Sequence, residues 1–296
     1  GAGPVKTTIR QHTSNIVAVR FGGHAQTLEE FSVDFNTNQP AANTNATAFE
    51  CYNTFFSTYR KLFAFRCARG FQLGTNNSII TAQGGMNGAF SCHFDTLEIN
   101  GYSISAIDFT STNGYSTGNV WSNVYTHNNY TGTTVANAGP CVKFAFCDEQ
   151  VIHQLNIEHS NPAAPALFLQ QAKNVAIDSL HFEGLTPSTW GDAFISLYDA
   201  CKLMVRGVTF SHNTVPANLG PYAAFYIGGG NCYLNCSGLN RNTNTISNSG
   251  TNHVLVHYES APTTGTVAIT EAELGDYAAT AVNDSLPSNI KNLNYT

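Results

Sequence analysis

The stretch NVAIDSLHFEG, residues 174–184, decides the fold because its alternation of apolar and polar residues recurs along the chain. The segment EQVIHQLNIEH starts at residue 149 and KLMVRGVTFSH starts at residue 202. Aligning the three segments superposes apolar residues at three positions: Ile152, Leu155 and Ile157; Ile177, Leu180 and Phe182; Val205, Val208 and Phe210. A repeat at this spacing is typical of proteins that stack one structural unit on the next.

A second recurring element consists of two apolar residues that flank one variable residue. Its copies are VAV at residue 17, FEC at 49, FQL at 71, IDF at 107, VKF at 142, LFL at 167, ISL at 195 and FYI at 225. Three positions after most copies the residue is small or polar, as at Cys147 and Ala172, which a tight corner filled from inside requires. Each unit is therefore a strand, a corner, a second strand and a variable loop.

These units predict an all-β chain in which strands stack in parallel as a solenoid. Alternation places every second residue inward, and no unit can bury its inner face alone. The weak helical period argues against the crossover helices that an ordinary parallel sheet needs. Stacking the units edge on edge gives all of them one continuous apolar core.

Composition and charge exclude several partners. Charged residues make up 11% of the 296 residues, the formal net charge is −6, and residues 71 to 142 contain no Lys or Arg. A surface without a basic footprint predicts no nucleic-acid partner. No apolar run is long enough to span a bilayer, so no membrane insertion is expected.

The cysteines and the missing motifs predict that no cofactor and no metal is bound. The eight cysteines lie mostly in apolar contexts, as in FAFCD around Cys147, and are expected to be buried free thiols. Cys232 and Cys236 alone have the spacing of a ligand pair, and no second pair completes a zinc site. G-x-S-x-G, phosphate-loop and H-E-x-x-H motifs are absent from the sequence.

The repeated units over residues 5 to 240 resemble the right-handed parallel β-helix of pectate-lyase-like proteins, and the low-charge, Asn/Thr-rich units are most similar to bacteriophage tailspikes. The resemblance implies a right-handed single-stranded parallel β-helix over residues 1 to 240. It also implies a homotrimer on the virion tail that binds, and often cleaves, bacterial surface polysaccharide. The Gly-Asp-Gly segment and capping helix of many phage members are missing here, which favours a fragment without its N-terminal cap.

The pattern changes after the Asn-rich stretch LNRNTNTISNSGTN. Residues 241 to 296 contain HVLVHY and GTVAIT as further short strands, followed by a tail without a clear period. An open solenoid end exposes unpaired strand edges. We therefore expect these residues to form a short C-terminal β cap or oligomerisation segment.

Stacking predicts a column of polar residues at the end of the alternating strands: Asp34, Asn100, His127, Glu158, Glu183 and Ser211. Glu158 and Glu183 fall on successive units, so their carboxyl groups are expected about 5 Å apart. Retaining glycosidases hold their acid and nucleophile at about that separation. Repulsion between two adjacent carboxylates raises one pKa, which would keep one of them protonated. Glu158 and Glu183 are the candidate catalytic pair.

Six further residues are candidate substrate-binding groups. His127, His159 and His212 lie at the strand end or one residue beyond it, Asp34 heads the column, and Trp121 and Trp190 offer rings on which a sugar can stack. The alternative interpretation is that the carboxylates simply face solvent and that the tryptophans pack under loops.

The middle residue of each apolar triplet is expected to point outward. The resulting column is Ala18, Glu50, Gln72, Asp108, Lys143, Phe168, Ser196 and Tyr226. Phe168 and Tyr226 are large apolar groups for an exposed face, and they predict contact with a neighbouring subunit.

Three classes of function remain open. The first is an endo-glycosidase that depolymerises O-antigen or capsule with Glu158 and Glu183. The second is a receptor-binding spike or adhesin that holds the glycan without cleaving it. The third is a polysaccharide lyase, which the scarcity of Lys and Arg in the middle units disfavours.

Overall fold

The computed structural model describes residues 7–82, 85, 87–111, 116–129, 139–161, 164–186, 193–213, 223–228, 231–239, 246–249 and 253–258. Within these residues the chain forms eighteen strands and one short helix. The strands are β1 (Thr7–Gln11), β2 (Val19–His24), β3 (Thr27–Phe35), β4 (Thr47–Phe55), β5 (Thr58–Leu73), β6 (Ala89–Phe90), β7 (His93–Thr110), β8 (Asn119–Asn129), β9 (Val142–Ile152), β10 (Leu155–Glu158), β11 (Leu167–Ile177), β12 (Leu180–Glu183), β13 (Ala193–Tyr198), β14 (Lys202–Ser211), β15 (Ala223–Gly228), β16 (Tyr233–Leu239), β17 (Ile246–Ser249) and β18 (His253–Tyr258). The helix α1 covers Asn77–Ala82.

The predicted all-β class is confirmed, and every pairing between the described strands is parallel. The pairings fall into three ladders. Ladder 1 contains Leu97, Val124, Leu155 and Leu180. Ladder 2 contains Ile107, Val142, Leu167 and Ile195. Ladder 3 contains Trp121, Ile152, Ile177 and Val205.

The alignment of the three sequence segments is confirmed as strand register. In ladder 1, Leu180 pairs with both Leu155 and Val208, and Phe182 pairs with both Ile157 and Phe210. In ladder 3, Ile177 pairs with Ile152 and Val205. The stretch at residues 174–184 therefore spans two ladders, with a bend between Ile177 and Leu180.

The apolar triplets form ladder 2, with one error in the sequence interpretation. Phe71 pairs with Phe49 and Ile107, and Leu167 pairs with Val142 and Ile195, as their triplets predict. The first copy is not VAV, because Val19 pairs with Phe49 and Phe21 with Cys51. Arg20 therefore takes the outward place that was predicted for Ala18.

The inward side chains of all three ladders form one hydrophobic core. Its aromatic centre joins Phe71, Phe94, Phe109, Trp121 and Phe144, and the Trp121 ring stacks on Phe94 at a centroid distance of 4.0 Å. The Trp121 indole nitrogen donates a hydrogen bond to Gln150 Oε1 at 3.0 Å, which satisfies its buried polar group.

Trp121 is therefore not a sugar-stacking residue, and its assignment as a substrate-binding group is wrong. Its side chain is 0% exposed, because it lies in ladder 3 between Phe94 and Ile152, both of which point inward. An indole ring buried here stabilises the fold far more than the same ring would if it were exposed on the surface.

Left-handed backbone turns the chain where it leaves ladder 1. On five of the strands the turning residue follows the last outward residue, with φ between 46° and 76°: Arg66, Gly101, His159, Gly184 and His212. Three of the five are not glycine, although side chains rarely adopt this conformation. The corner geometry is thus imposed by the stacking on either side. The corners that the sequence predicted lie elsewhere, after the triplets of ladder 2, where Phe146 and Gln171 precede Cys147 and Ala172 with φ of 52° and 46°.

The chain visits the ladders in a constant order. It passes from Ile152 in ladder 3 to Leu155 in ladder 1 and Leu167 in ladder 2, and then returns to ladder 3 at Ile177. The connections from ladder 1 to ladder 2 include residues 36–46, 159–166, 184–192 and 212–222, and they differ in length. Strands β17 and β18 pair with β15 and β16, so the ladders continue beyond residue 240.

All eight cysteines are buried thiols outside any disulfide, as predicted. Burial raises the pKa of thiols such as Cys67 and Cys236 to about 12, so they stay protonated and pack as small apolar groups. In the described part of the chain no helix is long and apolar enough to cross a membrane.

Replacing Trp121 tests its place in the core. We expect Trp121→Ala to lower the free energy of unfolding by about 3–5 kcal/mol, because it removes a large buried ring and leaves Gln150 without its donor. Urea unfolding monitored by circular dichroism measures the change. Met204→Ala, at a side chain that is 42% exposed, is the control and should change the unfolding midpoint little. A loss no greater than that of the control would contradict the assignment.

Candidate functional site

The candidate site lies on the outer face of ladder 1, which carries two columns of outward side chains. One column is Asp34, Phe65, Asn100, His127, Glu158, Glu183 and Ser211 in register. It confirms the predicted order and adds Phe65, which the sequence interpretation had omitted. The second column precedes it by two residues on each strand: Ser32, Phe63, Glu98, Tyr125, Asn156, His181 and Thr209.

Glu158 and Glu183 are direct neighbours at the end of β10 and β12. Carboxylate oxygens of the two residues lie within 4.8 Å of each other, together with a ring nitrogen of His181. This adjacency is what the sequence predicted from stacking. Two carboxyl groups this close have the separation at which retaining glycosidases work, about 5–5.5 Å.

His181 links the two columns and fixes Glu183. Its Nε2 lies 3.1 Å from Glu183 Oε2, and its Nδ1 lies 2.6 Å from Thr209 Oγ1. A neutral ring accepts from the Thr209 hydroxyl and donates to Glu183, and a charged ring donates to both. In either state His181 donates a hydrogen bond to the carboxylate.

The imidazoles around Glu183 set its protonation. The pKa of the Glu183 carboxyl lies below its ordinary value, first because of the hydrogen bond from His181, with the charges of His181, His159 and His212 acting in the same direction; desolvation acts against them. Glu183 is therefore ionised at neutral pH. It is not the carboxyl group that mutual repulsion would keep protonated.

The Glu158 side chain is more buried than the Glu183 side chain. It is 7% exposed, and the Tyr125 hydroxyl donates a hydrogen bond to its Oε2. Burial raises the pKa of Tyr125, and the hydrogen bond to Glu158 with the nearby negative charges raises it further. Tyr125 thus remains a protonated donor that orients Glu158.

His127 is brought beside Glu158 but contacts another carboxylate. It pairs with Glu158 in register, and its Nε2 lies 3.2 Å from Glu98 Oε1. Its ring packs against Tyr125 at a centroid distance of 4.7 Å. Tyr125 and His127 therefore form a connected pair next to the catalytic candidates.

His159 and His212 flank Glu183 from the left-handed corners. A Cβ atom on Gly184 would lie 2.5 Å from His159 Nδ1, so glycine is required there for the imidazole to lie across the corner. Gly184 also has a φ of 62°, which favours glycine. His212 is 83% exposed, and its Nδ1 lies 3.6 Å from Glu183 Oε1.

Two other predicted site residues do not join this cluster. Asp34 is four strands away from Glu158 along the column and forms an ion pair with Arg66, whose Nε donates to Asp34 Oδ1 at 2.8 Å. Its assignment as a substrate-binding residue stays a prediction. Trp190 lies outside the described residues, and its role stays a prediction.

Sequence reasoning missed the second column, including Tyr125, His181 and Glu98. It considered only the last residue of each strand, although alternation places the residue two positions earlier on the same face. The signal was thus available in segments such as LHFE, where His181 and Glu183 flank the inward Phe182. The closeness of His181 to both glutamates follows from the register and not from the sequence spacing alone.

Glu158, His181 and Glu183 are also the described residues that could hold a metal ion together. The sequence had predicted no metal. Two carboxylates and one imidazole suit a divalent transition metal better than calcium, which prefers a cage of oxygen atoms.

The triplet column on the outer face of ladder 2 is less exposed than predicted. Ser196 is fully buried, and Phe168 and Tyr226 are half-buried on either side of Tyr198. The centroid distances from the Tyr198 ring to the Phe168 and Tyr226 rings are 5.3 Å and 5.4 Å. These three rings, called the aromatic row below, form a continuous apolar strip.

No family model matches the chain, and comparisons with curated proteins and with solved structures find no match either.

The control of Glu183 by His181 can be measured by titration. We expect His181→Phe to raise the pKa of Glu183 toward the ordinary value of about 4.3, because the ring remains while its hydrogen bond and charge are lost. Carbon-detected NMR of the carboxyl groups against pH measures it, with His153→Phe, in the bend between β9 and β10, as the control. Since a lowered pKa stabilises the fold above the unfolded-state pKa, the wild type should lose more stability than the variant on acidification. An unchanged Glu183 pKa would refute the assignment.

Proposed function

We propose that this chain binds bacterial surface polysaccharide, O-antigen or capsule, and hydrolyses it as an endo-glycosidase in a tailspike-type protein on a virion tail. The observation that carries the proposal is the carboxylate pair Glu158 and Glu183, held side by side with different surroundings. One carboxylate is ionised among imidazoles and the other is buried under a tyrosine, which is the asymmetry that a pair with two different roles needs.

The proposed architecture is a right-handed single-stranded parallel β-helix with a short C-terminal β cap. Its support is the constant order in which the chain visits three parallel ladders around one core. Such a surface offers a long, regular face along which a polysaccharide can lie across successive strands. The cap is assigned to residues 241 to 296, of which β17 and β18 extend the ladders.

The proposed mechanism is a double displacement with retention. Glu183 attacks the anomeric carbon of the sugar, the glycosidic bond breaks, and Glu158 gives its proton to the departing oxygen. Water then attacks the same carbon, Glu158 takes the proton from that water, and the bond to Glu183 breaks. Tyr125 and His181 act as positioning residues, because each orients one of the two carboxyl groups.

The surrounding side chains suit a polyhydroxylated substrate. Asn156 and Thr209 lie in the same outer column as Tyr125 and His181, and His212 is exposed beside Glu183. Amide, hydroxyl and imidazole groups supply the directional donors and acceptors that sugar hydroxyls require. Trp190, in the connection after Glu183, remains the predicted stacking residue.

A receptor-binding function without hydrolysis is the second candidate. The observation that favours it is the 7% exposure of Glu158, whose Oε2 already accepts a hydrogen bond from Tyr125. A polysaccharide lyase receives no support, since neither column of the outer face of ladder 1 places an Arg or Lys near Glu158 to neutralise a uronate.

Removing one carboxylate at a time separates hydrolysis from binding. We expect Glu158→Gln and Glu183→Gln each to reduce release of oligosaccharides from host envelope polysaccharide by about 10²–10⁴-fold, because each loses an acid, base or nucleophile of the reaction. Mass spectrometry of the products and a sedimentation assay for binding are the two measurements. Glu149→Gln, at an exposed glutamate on β9, is the matched control.

Retained binding with lost product release supports the enzyme. Unchanged release in both variants would place the chemistry elsewhere on the chain. A wild-type protein that binds candidate polysaccharides and releases no fragments would establish the receptor-binding alternative.

We further propose that the assembly is a homotrimer that buries the aromatic row of Phe168, Tyr198 and Tyr226. A strip of half-buried rings on the outside of a ladder suits a contact with another copy of the chain better than contact with water. Gly228 supports the row, since a Cβ there would lie 2.5 Å from Tyr226 and 2.6 Å from Tyr198.

Introducing a negative charge into the aromatic row tests the oligomer. We expect Phe168→Asp to convert trimers to monomers, because it places a carboxylate in a desolvated apolar contact. Light scattering coupled to size exclusion gives the mass. Met204→Asp, at an exposed side chain in ladder 3, is the control and should remain trimeric. An intact trimer for Phe168→Asp would remove the aromatic row from the interface.

A further inference from the structure

A polar pocket on the outer face of ladder 2 lies apart from the glutamate pair. Its cavity has a volume of about 420 Å³, within the range of about 300–1,000 Å³ found for small-molecule sites. Arg20, Glu50, Gln72 and Asp108 are outward residues on successive strands of this ladder and line the pocket. We call it the ladder 2 pocket.

Part of the pocket lining is buried and already organised. Glu50 is 6% exposed and accepts a hydrogen bond from Arg20 Nε at 2.6 Å. Gln72 is 7% exposed and accepts from the Thr47 hydroxyl at 3.1 Å. Buried polar groups with fixed partners are oriented before a ligand arrives, so little ordering is needed on binding.

Arg69 supplies an unfilled donor in this pocket. Among the described residues, its buried Nε has no hydrogen-bond acceptor, and Asp108 Oδ2 lies 3.9 Å away. Another nitrogen of the same guanidinium donates to the Thr44 carbonyl, which fixes the side chain. A ligand hydroxyl group that lies beside both side chains would accept from the Arg69 guanidinium and donate to the Asp108 carboxylate.

The side chains that line the pocket favour binding of an uncharged ligand with many hydroxyl groups. The charges of Arg20 and Arg69 are matched by those of Glu50 and Asp108, so the pocket carries no net positive charge for a phosphate. Threonine, asparagine and glutamine make up most of the other lining, and no aromatic ring among the lining residues is placed to stack on a base. Sugars match such a lining because each hydroxyl group both donates and accepts.

We propose that the ladder 2 pocket binds an uncharged sugar residue, as a second glycan site that does not hydrolyse. A hydroxyl group of the sugar bridges Arg69 and Asp108. The proposal extends the proposed glycan function to another face of the molecule, and the binding itself does not depend on Glu158 or Glu183.

The test follows the Arg69 side chain directly. The Nε–Hε resonance of Arg69 is recorded by NMR while methyl glycosides of glucose, galactose, mannose, rhamnose and N-acetylglucosamine are added to the full chain carrying Glu183→Gln. Methyl glucuronide and inorganic phosphate are added in separate titrations. We expect at least one neutral glycoside to shift this resonance with saturation.

Two variants and one control make the result specific. Asp108→Asn, which keeps the shape of the side chain, and Asn45→Ala, at an exposed lining residue, should each weaken that binding by about tenfold. Asp178→Asn, in the bend after β11, should leave it unchanged. An Arg69 resonance that responds only to glucuronide or phosphate, or to none of the compounds, overturns the proposal.

The readout also separates this site from the proposed hydrolysis. Failure of the sugar titration leaves the release of oligosaccharides by the Glu158 and Glu183 pair standing. If the wild type releases no oligosaccharides but the Arg69 resonance still shifts with a neutral glycoside, the ladder 2 pocket stands as a binding site on its own.

Discussion

Parallel pairing in fixed register is the constraint on which the rest of the structure depends. An inward side chain in each ladder is covered above and below by the equivalent side chains of the neighbouring strands, so Leu180 requires Leu155 and Val208 on either side of it. A shift of one residue in any strand would send its apolar set outward and its polar set into the core. The buried stack of Phe94 and Trp121 strengthens this restriction, since only one register brings the two rings together.

The same register creates the chemistry on the outside. Glu158 and Glu183 are far apart in the chain, and they meet because the strands that carry them are hydrogen-bonded neighbours. Once adjacent, they are distinguished by what the next positions contribute: an imidazole network around Glu183 and a tyrosine over Glu158. The ladder 2 pocket arises in the same way, from outward residues of four successive strands. Function in such a molecule is therefore specified by columns of residues rather than by contiguous motifs.

The sequence predicted the strands, the parallel pairing and the Glu158–Glu183 adjacency because these follow from apolar periodicity, which the core enforces. It placed Trp121 wrongly, although Trp121 precedes Val124 by the same three residues that separate Ile177 from Leu180. It also took Ala18 for Arg20, because VAV fits the triplet as well as VRF does and only the pairing of Val19 with Phe49 decides between them. Hydrogen bonds such as those from His181 and Tyr125 depend on side-chain orientation, which periodicity does not determine.

Two of the connections that leave ladder 1, residues 159–166 and 184–192, start directly after Glu158 and Glu183. The connections vary in length while the strands on either side keep their pairing. Loop closure entropy grows slowly with length, so residues can be inserted there at little cost to stability. The rim around the carboxylates can thus diversify during evolution while the stacked interior stays unchanged.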